Sequence, residues 1–401
     1  MAKQNKPAIR FKGFTDAWEQ RKLGDLLVER NQQAPMSNEY PLMAFIANEG
    51  VAPKGERYDR SALVTDTVNK LYKKTEKGDF IYSSNNLETG SIGLNKYGKA
   101  CISPVYSIFE PTGIADSDFL GRRLVRKDFI NAMVKWRQGV IYGQWRIHES
   151  DFLKIEIPVP SVEEQRKIGA FLDQLDHLIT LHQRKYDKLQ VLKKAMLEKM
   201  FPKNGSSVPE IRFKGFTDAW EQRKLGEVSE SYSGGTPSVG VKEYYGGQIP
   251  FIRSAEINSE ITELFLTEEG LKKSSARLVA MGDILYALYG ATSGEVGRAR
   301  LRGAINQAIL AINPHTGYDS EYLAQWLRKS KHSIIETYLQ GGQGNLSGTI
   351  VKELLVDFPS LKEQRAIGDF FSQLDHLITL HQRELEKLQN IKKSMLEKMF
   401  V

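Results

Sequence analysis

The sequence predicts an α+β protein in which two mixed α/β domains and two long helices form an internal repeat. Three observations predict it. Two blocks of sequence occur twice in the same order, one of them has the apolar spacing of a long helix, and the segments between them alternate short apolar runs with Gly, Asn and Ser turns. The length of 401 residues also exceeds what one hydrophobic core usually serves.

The first repeated block is short and precedes a long segment in each half. Residues 9–24 read IRFKGFTDAWEQRKLG, and residues 211–226 repeat them without a change. The long segments that follow differ from each other, although GDFIY at 78–82 still corresponds to GDILY at 282–286. We interpret each long segment as a compact mixed α/β domain.

The second repeated block predicts two long helices. QLDHLITLHQR occurs at 174–184 and again at 373–383. Ser161 and Ser360 each open an S-x-x-E pattern, which is typical of the capping box at a helix N-terminus. Apolar residues then recur with a heptad-like spacing, which indicates a helix packed along another helix. The residues predicted to pack the helix pair are Ile168, Leu175, His182 and Leu189 in the first copy and Ile367, Leu374, His381 and Leu388 in the second.

The two histidines of this seam allow two interpretations. They could form a metal or proton-transfer pair, or they could be polar residues that set the register of the helix pair. We favour register, because no Cys, Asp or Glu accompanies either histidine at ligand spacing on that face.

The repeat also predicts domain boundaries. We expect a first domain at 1–160, its helix at 161–201, a linker at 202–209, a second domain at 210–359 and its helix at 360–401. Nearly identical blocks should present one surface twice to the same kind of partner, whereas two divergent domains should meet two different ligands. A recent duplication without a division of roles is the alternative. It explains the identity of the blocks but not why divergence concentrates in the domains.

Composition narrows the class of protein. A net charge of +7 and a pI near 9.1 permit a nucleic-acid partner without proving one. The single cysteine, Cys101, rules out an internal disulfide and suits a reducing compartment. No apolar run approaches the roughly 20 residues of a membrane helix, and the N-terminus lacks the apolar core of a signal peptide. These features predict a cytoplasmic protein without a membrane partner.

Signatures of a self-contained enzyme are missing from the sequence. It has no H-E-x-x-H, C-x-x-C or G-x-S-x-G pattern, no Pro-Pro pair as in the N-P-P-Y motif of adenine methyltransferases, and no Pro-Asp pair of the kind that begins many nuclease sites. We therefore expect a non-catalytic chain that binds no metal or cofactor itself.

The chain resembles the specificity subunits of type I restriction-modification systems over nearly its whole length. The resemblance rests on the repeated WEQRKLG string, the two helices that begin with EQR, GGTPS at 234–238, and GGQGNLSG at 341–348 running towards FPS at 358–360. The first domain departs from the pattern, since it lacks GGTPS and has YGQWR at 142–146 in the glycine-rich position.

The resemblance implies two target-recognition domains held apart by an antiparallel pair of long helices. Each domain would read one half of a bipartite double-stranded DNA target. Two methyltransferase subunits carrying S-adenosylmethionine would dock on the scaffold and methylate adenine on N6. Two ATP-dependent translocase-nuclease subunits would join for restriction, so ATP and Mg would also lie on partner subunits, in a bacterial or archaeal cytoplasm.

Side-chain chemistry suggests which residues contact DNA. Base readout needs paired donors and acceptors, and phosphate contacts need basic or small polar groups. The candidates are Gln144, Trp145, Arg146, Gln343 and Asn345 on glycine-flanked loops, Thr236 and Ser238 in a Gly/Pro turn, and Arg253. The alternatives are a structural turn at the glycine-flanked loops and a surface salt bridge at Arg253.

The sequence is also compatible with two other functions. One is the specificity part of a modification-only system, which co-purified partners would distinguish. The other is a coiled-coil adaptor that joins two protein-binding modules, for which DNA binding with a steep salt dependence would be absent.

Overall fold

The computed structural model describes residues 6–53, 70–141, 144–203, 205–339 and 345–401. The chain forms two compact units, the first made of Met1–His182 with Glu384–Val401 and the second of Gln183–Arg383. Each unit contains one divergent segment, the beginning of one long helix and the end of the other. The boundaries drawn from the repeat stay a prediction.

The first unit is built mainly from short strands. These are β1 (Glu19–Lys22), β2 (Leu27–Glu29), β3 (Gln33–Ala34), β4 (Ala44–Ile46), β5 (Gly50–Ala52), β6 (Tyr72–Thr75), β7 (Phe80–Tyr82), β8 (Ile92–Leu94), β9 (Ala100–Ile102), β10 (Ser107–Pro111), β11 (Gln138–Ile141), β12 (Gln144–Arg146) and β13 (Glu156–Val159). Its helices are α1 (Leu23–Leu26), α2 (Ser117–Leu124), α3 (Lys127–Val134), α4 (Glu149–Phe152) and the first part of α5 (Val162–Lys199).

An antiparallel sheet in the order β2-β10-β7-β8 forms the centre of this unit. Strand β1 of the first repeated block pairs with β13, which leads into α5. Trp18 of that block packs edge-on against Phe119, and Phe119 stacks on Phe400 with ring centroids 5.3 Å apart. The repeated segments therefore contribute to the same core as the divergent one.

The second unit has the same plan, with a second sheet of four strands where the first unit has the three-stranded sheet β3-β6-β9. Its strands are β14 (Glu221–Lys224), β15 (Ser229–Ser233), β16 (Tyr245–Ile252), β17 (Phe265–Leu266), β18 (Arg277–Val279), β19 (Ile284–Ala287), β20 (Val296–Arg298), β21 (Gly303–Ile305), β22 (Ile309–Pro314) and β23 (Leu355–Phe358). Its helices are α6 (Leu225–Val228), α7 (Glu268–Lys272), α8 (Ser320–Leu339), α9 (Gly348–Lys352) and the first part of α10 (Leu361–Lys398).

The central sheet of the second unit, β15-β22-β19-β20, corresponds to that of the first, and β14 pairs with β23 as β1 pairs with β13. A further sheet has the order β17-β16-β21-β18. Phe201, at the end of the first repeat, packs with Trp220 and Tyr322, as Phe400 does with Trp18 and Phe119 in the first unit. The duplication seen in the sequence is thus repeated in the packing.

Both predicted long helices are present, and α5 and α10 have 38 residues each. Half of each predicted capping box forms: Ser161 Oγ accepts from the Glu164 N–H, and Ser360 Oγ from the Glu363 N–H, both at 3.4 Å. The other half of the prediction, in which the glutamate side chain accepts from the backbone N–H of the serine, is wrong. Both carboxylates accept hydrogen bonds from arginines of the first repeated block instead.

Six of the eight residues predicted to pack the helix pair lie in the hydrophobic cores of the units, and their role in pairing the helices stays a prediction. Ile168, Leu175 and Leu388 belong to the core of the first unit, and Leu189, Ile367 and Leu374 to that of the second. In the second unit Lys193 pairs with Asp375 while Phe201 stacks on Phe371, so the helices run antiparallel.

The seam histidines, His182 and His381, are half-buried. No three His, Cys, Asp or Glu side chains come together as a metal site within the described residues. Along the same ranges, none of the helices combines the length and apolar character needed to cross a membrane.

Candidate nucleic-acid interface

The two repeated blocks form one joint that holds the divergent segment. In the first unit, Gln165 Oε1 accepts from the Asp116 N–H at 2.9 Å, and Asp116 in turn caps α2 by accepting from the Phe119 N–H at 2.9 Å. Gln364 and Asp319 make the same contacts at the start of α8 in the second unit. The EQR string at the start of each long helix therefore positions a helix of the divergent segment.

A cleft of about 730 Å³ opens beside the end of the central strand β7 in the first unit. Its lining combines an exposed aromatic ring, basic groups and amide groups, contributed among others by Lys73, Asn85, Val105, Tyr106, Trp145 and Arg146. This mixture suits a polyanionic ligand that carries flat bases, because stacking and charge act together on such ligands.

Strand β12 brings Trp145 and Arg146 to the cleft. The N–H of the next residue, Ile147, donates to Ser84 Oγ at 3.0 Å, which ties this segment to the end of β7. Trp145 is 45% exposed and the Arg146 side chain 66% exposed, so both are accessible to a ligand. The backbone of Gln144 lies in the same strand, but its side chain is outside the described residues.

The charges of the cleft are partly balanced by one acid. Burial raises the pKa of Glu149, but hydrogen bonds from its own backbone N–H and from Ser107, with the nearby Lys73 and Arg146 charges, bring it below the ordinary value. Glu149 is therefore an anion near neutral pH, and one of its oxygens lies 3.7 Å from Arg146 Nη2. Most of the Arg146 guanidinium still faces solvent.

The second unit places its candidates at the corresponding edge. The Leu346 N–H donates to the backbone carbonyl of Leu288 at 2.9 Å, and the Ile147 N–H of the first unit donates to the side-chain hydroxyl of Ser84. Ser84 and Leu288 each follow the central-strand tyrosine by two residues. Asn345 therefore stands where Arg146 stands, and it is exposed. Gln343 lies outside the described residues.

The Gly/Pro turn of the second unit reaches the same edge. Thr236 and Ser238 are exposed, and Thr236 Oγ1 donates to Gln307 Oε1 at 2.7 Å. Ala308, the next residue, accepts from the Leu288 N–H at 2.8 Å, which places this turn beside the Asn345 segment. The structure thus brings Thr236 and Asn345 to one edge of the unit.

Arg253 is engaged by acids of its own unit. Its Nη2 donates to Glu256 at 2.8 Å and to Glu263 at 2.6 Å. Burial raises the pKa of Glu256, but the hydrogen bond from Arg253 and those from backbone N–H groups lower it to about 2. The salt bridge considered from the sequence is present, and a DNA contact by Arg253 stays a prediction.

Sequence reasoning did not single out Asn85 or Gln307, both of which are exposed at these edges. Gln307 had one signal: the polar pair at 306–307 interrupts an otherwise apolar run from 303 to 312. Such an interruption is typical of a turn between two strands.

The family model of the type I restriction modification DNA specificity domain matches residues 15–191 and 217–390. The chain belongs to this family. The two matches correspond to the two copies of the repeat, and they confirm the resemblance drawn from the repeated blocks. The family therefore gives this chain a role in DNA sequence specificity.

Two relatives come from Methanocaldococcus jannaschii. The type I restriction enzyme MjaIX specificity subunit is 31% identical over 190 residues, which are 45% of this chain and 44% of the relative. The MjaVIII specificity subunit is 23% identical over 404 residues, which are 94% of this chain and 91% of the relative. The aligned part thus spans less than half of the first relative and most of the second.

A solved structure has the same fold. The crystal structure of a type I restriction-modification system S subunit from M. genitalium superposes with a TM-score of 0.65 and 15% identity, covering 99% of both chains. The α+β fold with an internal repeat, predicted from the sequence, is confirmed, and it is the specificity-subunit fold that the resemblance implied.

Proposed function

We propose that the chain is the non-catalytic specificity subunit of a type I restriction-modification complex and that each unit reads one half of a bipartite double-stranded DNA target. One observation carries the proposal: equivalent edges of the two units present different exposed side chains on the same frame. Arg146 in the first unit corresponds to Asn345 in the second. These residue types pair with guanine and adenine, respectively, in the major groove.

The candidate residues divide into two roles under this proposal. Arg146, Asn345 and the amides beside them contact base edges, with Trp145 packing against the DNA. Ser238 contacts the sugar-phosphate backbone through its hydroxyl, as small hydroxyl side chains commonly do. Thr236, whose hydroxyl hydrogen is donated to Gln307, contacts it through the main-chain N–H.

The duplicated scaffold would bind two methyltransferase subunits, which carry S-adenosylmethionine and methylate adenine on N6. Exposed leucines at equivalent places on both helices support this. Leu178 and Leu181 of α5 are 40% and 39% exposed, and Leu377 and Leu380 of α10 are 40% and 46% exposed. Apolar side chains repeated in this way suit a partner that binds twice. Two restriction subunits with ATP and Mg would complete the assembly, in the cytoplasm where DNA is available.

Methylation mapping tests the proposal. The chain is co-expressed with the methyltransferase subunit of its restriction-modification system, and methylated adenines are located across the host genome. We expect a single bipartite motif with two different halves and a fixed gap. The purified chain alone should transfer no methyl group from S-adenosylmethionine to DNA.

Salt dependence separates this proposal from the adaptor alternative. A protein that neutralises 6–10 phosphates loses about 10³- to 10⁵-fold in affinity between roughly 50 and 200 mM salt. We expect a steep fall of this kind for duplexes that carry the motif. Absent DNA binding, together with no methylation motif, would favour an adaptor.

A further inference from the structure

A tight turn in the second unit presents a glutamine that is exposed yet held in place. Asn306 Oδ1 accepts from the Ala308 N–H at 3.1 Å, and the Ile309 N–H donates to the Asn306 carbonyl at 3.3 Å. Gln307 lies at the tip of this turn between β21 and β22, and its side chain accepts from Thr236 Oγ1 at 2.7 Å. Both the backbone and the side chain of Gln307 are therefore restrained.

The loop that carries Thr236 is itself fixed against the sheet. A Cβ added to Gly234 would lie 1.8 Å from the Ile305 carbonyl oxygen, so only glycine allows the loop to pack this closely. Further along, Tyr245 Oη donates to the Pro237 carbonyl at 2.7 Å. Thr236 is thus held at a set distance from the turn that carries Gln307.

We infer that Gln307 reads a base of the second half-target and that Thr236 is the positioning residue that orients its amide. The inference rests on the proposed function. A surface glutamine usually loses side-chain conformational entropy when it binds a ligand, which weakens binding. Gln307 is already restrained in the free protein, so this entropic cost is smaller. The amide keeps two N–H donors and a second lone pair on Oε1. That combination matches N7 and N6 of adenine in the major groove.

The position of Gln307 in the repeat supports a role in specificity. Leu310 pairs with Tyr286 in the second unit as Ser107 pairs with Tyr82 in the first. Gln307 lies three residues before Leu310, and Pro104 lies three residues before Ser107, so the two positions correspond. The side chain of Pro104 has no hydrogen-bonding group. Pro104 lines the cleft that holds Trp145 and Arg146. The two units therefore differ in chemistry at an edge position, as reading two different half-targets requires.

The backbone places this turn beside the other candidate of its unit. The Leu288 N–H donates to the Ala308 carbonyl, and the Leu288 carbonyl accepts from the Leu346 N–H. Three segments thus lie side by side at the end of β19, with Gln307 on the first and Asn345 on the third. One groove of DNA lying along this edge would meet both amides.

The experiment uses the full chain in complex with its methyltransferase subunit, and it maps methylated adenines for four variants. Gln307→Ala removes the side-chain amide. Thr236→Val keeps the shape of the side chain but removes its hydroxyl, whereas Thr236→Ser retains the hydroxyl. Gln248→Ala, an exposed glutamine on β16, is the matched control. The melting temperature of each variant reports on folding.

We expect Gln307→Ala to relax one adenine position of one half-target, with discrimination weakened by about fivefold to 150-fold, the range of a lost bidentate base contact. Thr236→Val should relax the same position by a smaller factor, and Thr236→Ser and Gln248→Ala should keep the motif of the parent. The other half-target should stay unchanged in all four variants.

Three outcomes would overturn the inference. The first is a Gln307→Ala variant whose motif and melting temperature are both unchanged. The second is an equal loss of recognition at both half-targets. The third is a lower melting temperature for Gln307→Ala and Thr236→Val with the motif intact, because that result would show that the hydrogen bond between the two residues is purely structural. A parent complex without any bipartite motif would overturn the proposed function as well. A clear parent motif with a silent Gln307→Ala variant would overturn this inference alone.

Discussion

Arg10 donates two hydrogen bonds to the buried carboxylate of Glu164, from Nε to Oε1 at 2.6 Å and from Nη2 to Oε2 at 2.8 Å. The pair connects the first repeated block to the start of α5 across 154 positions of sequence. Arg212 and Glu363 make the same pair in the second unit. The two repeated blocks therefore each supply one half of the same joint in both units.

Neutralising this carboxylate should destabilise the first unit. Glu164→Gln leaves Arg10 with a charge that has lost its anion, and removing one partner of a buried pair typically costs about 3–5 kcal/mol. Glu163→Gln is the matched control, because that side chain is 73% exposed and pairs with Lys167 on the helix surface. Its cost should stay below about 1 kcal/mol. Calorimetric unfolding of both variants measures the difference, and equal effects would argue against the joint.

A glycine inside α5 should not tolerate alanine, although alanine is the better helix former. A Cβ on Gly169 would lie 2.8 Å from Asp116 Oδ1 and 3.1 Å from Asp118 Cβ. Because Asp116 is held as the cap of α2, we expect Gly169→Ala to destabilise by about 1–3 kcal/mol, as overpacking does. Gly113→Ala, where nothing lies within 4 Å of the added Cβ, should be near neutral. Denaturant unfolding compares the two, and a stabilised Gly169→Ala would contradict the packing.

The repeated leucines should control how many methyltransferase subunits bind. Leu181→Glu or Leu380→Glu alone should reduce the complex from two methyltransferase subunits to one, and the double variant should bind none, because a charge at the centre of an apolar contact is costly to bury. Val191→Glu is the control: Val191 is 70% exposed, but its repeat equivalent is Asn390, so it belongs to no duplicated surface. Native mass spectrometry gives the stoichiometry, and unchanged complexes in all variants would place the docking surface elsewhere.

The edge that carries Arg146 and the edge that carries Asn345 should each control recognition of one half-target. Arg146→Ala should relax recognition in one half-target, and Asn345→Ala in the other, each by about 1–3 kcal/mol. The two variants serve as controls for each other, since each should leave the half-target of its counterpart intact. Methylation mapping of both complexes measures this. If both half-targets weaken together in either variant, these residues support folding and not readout.

A chain stopped after Phe201 should form a twofold dimer. Phe400 fills the core of the first unit beside Phe119, and the truncated chain lacks it. Phe201 ends the nearly identical sequence KKAMLEKMF, so a second copy can supply it in the place of Phe400. With the methyltransferase subunit, the dimer should modify a palindromic site made of one half-target twice.

Light scattering and methylation mapping check this prediction. The same fragment carrying Phe201→Ala is the control and should dimerise more weakly, because the replacement core residue is lost. A monomeric fragment, or an asymmetric motif like that of the full chain, would contradict it.

The sequence by itself determined the repeat, the two long helices and the family, because these depend on identity and periodicity along the chain. Heptad spacing and a serine before each helix are local signals, and α5 and α10 begin and end within a few residues of the prediction. Only the tertiary structure decided that Glu164 pairs with Arg10 while the adjacent Glu163 stays at the surface. It also decided that Arg253 is occupied by Glu256 and Glu263, and that Gln307 stands beside Thr236. Such pairings follow from which distant segments fold together and exclude water, and no local pattern records that.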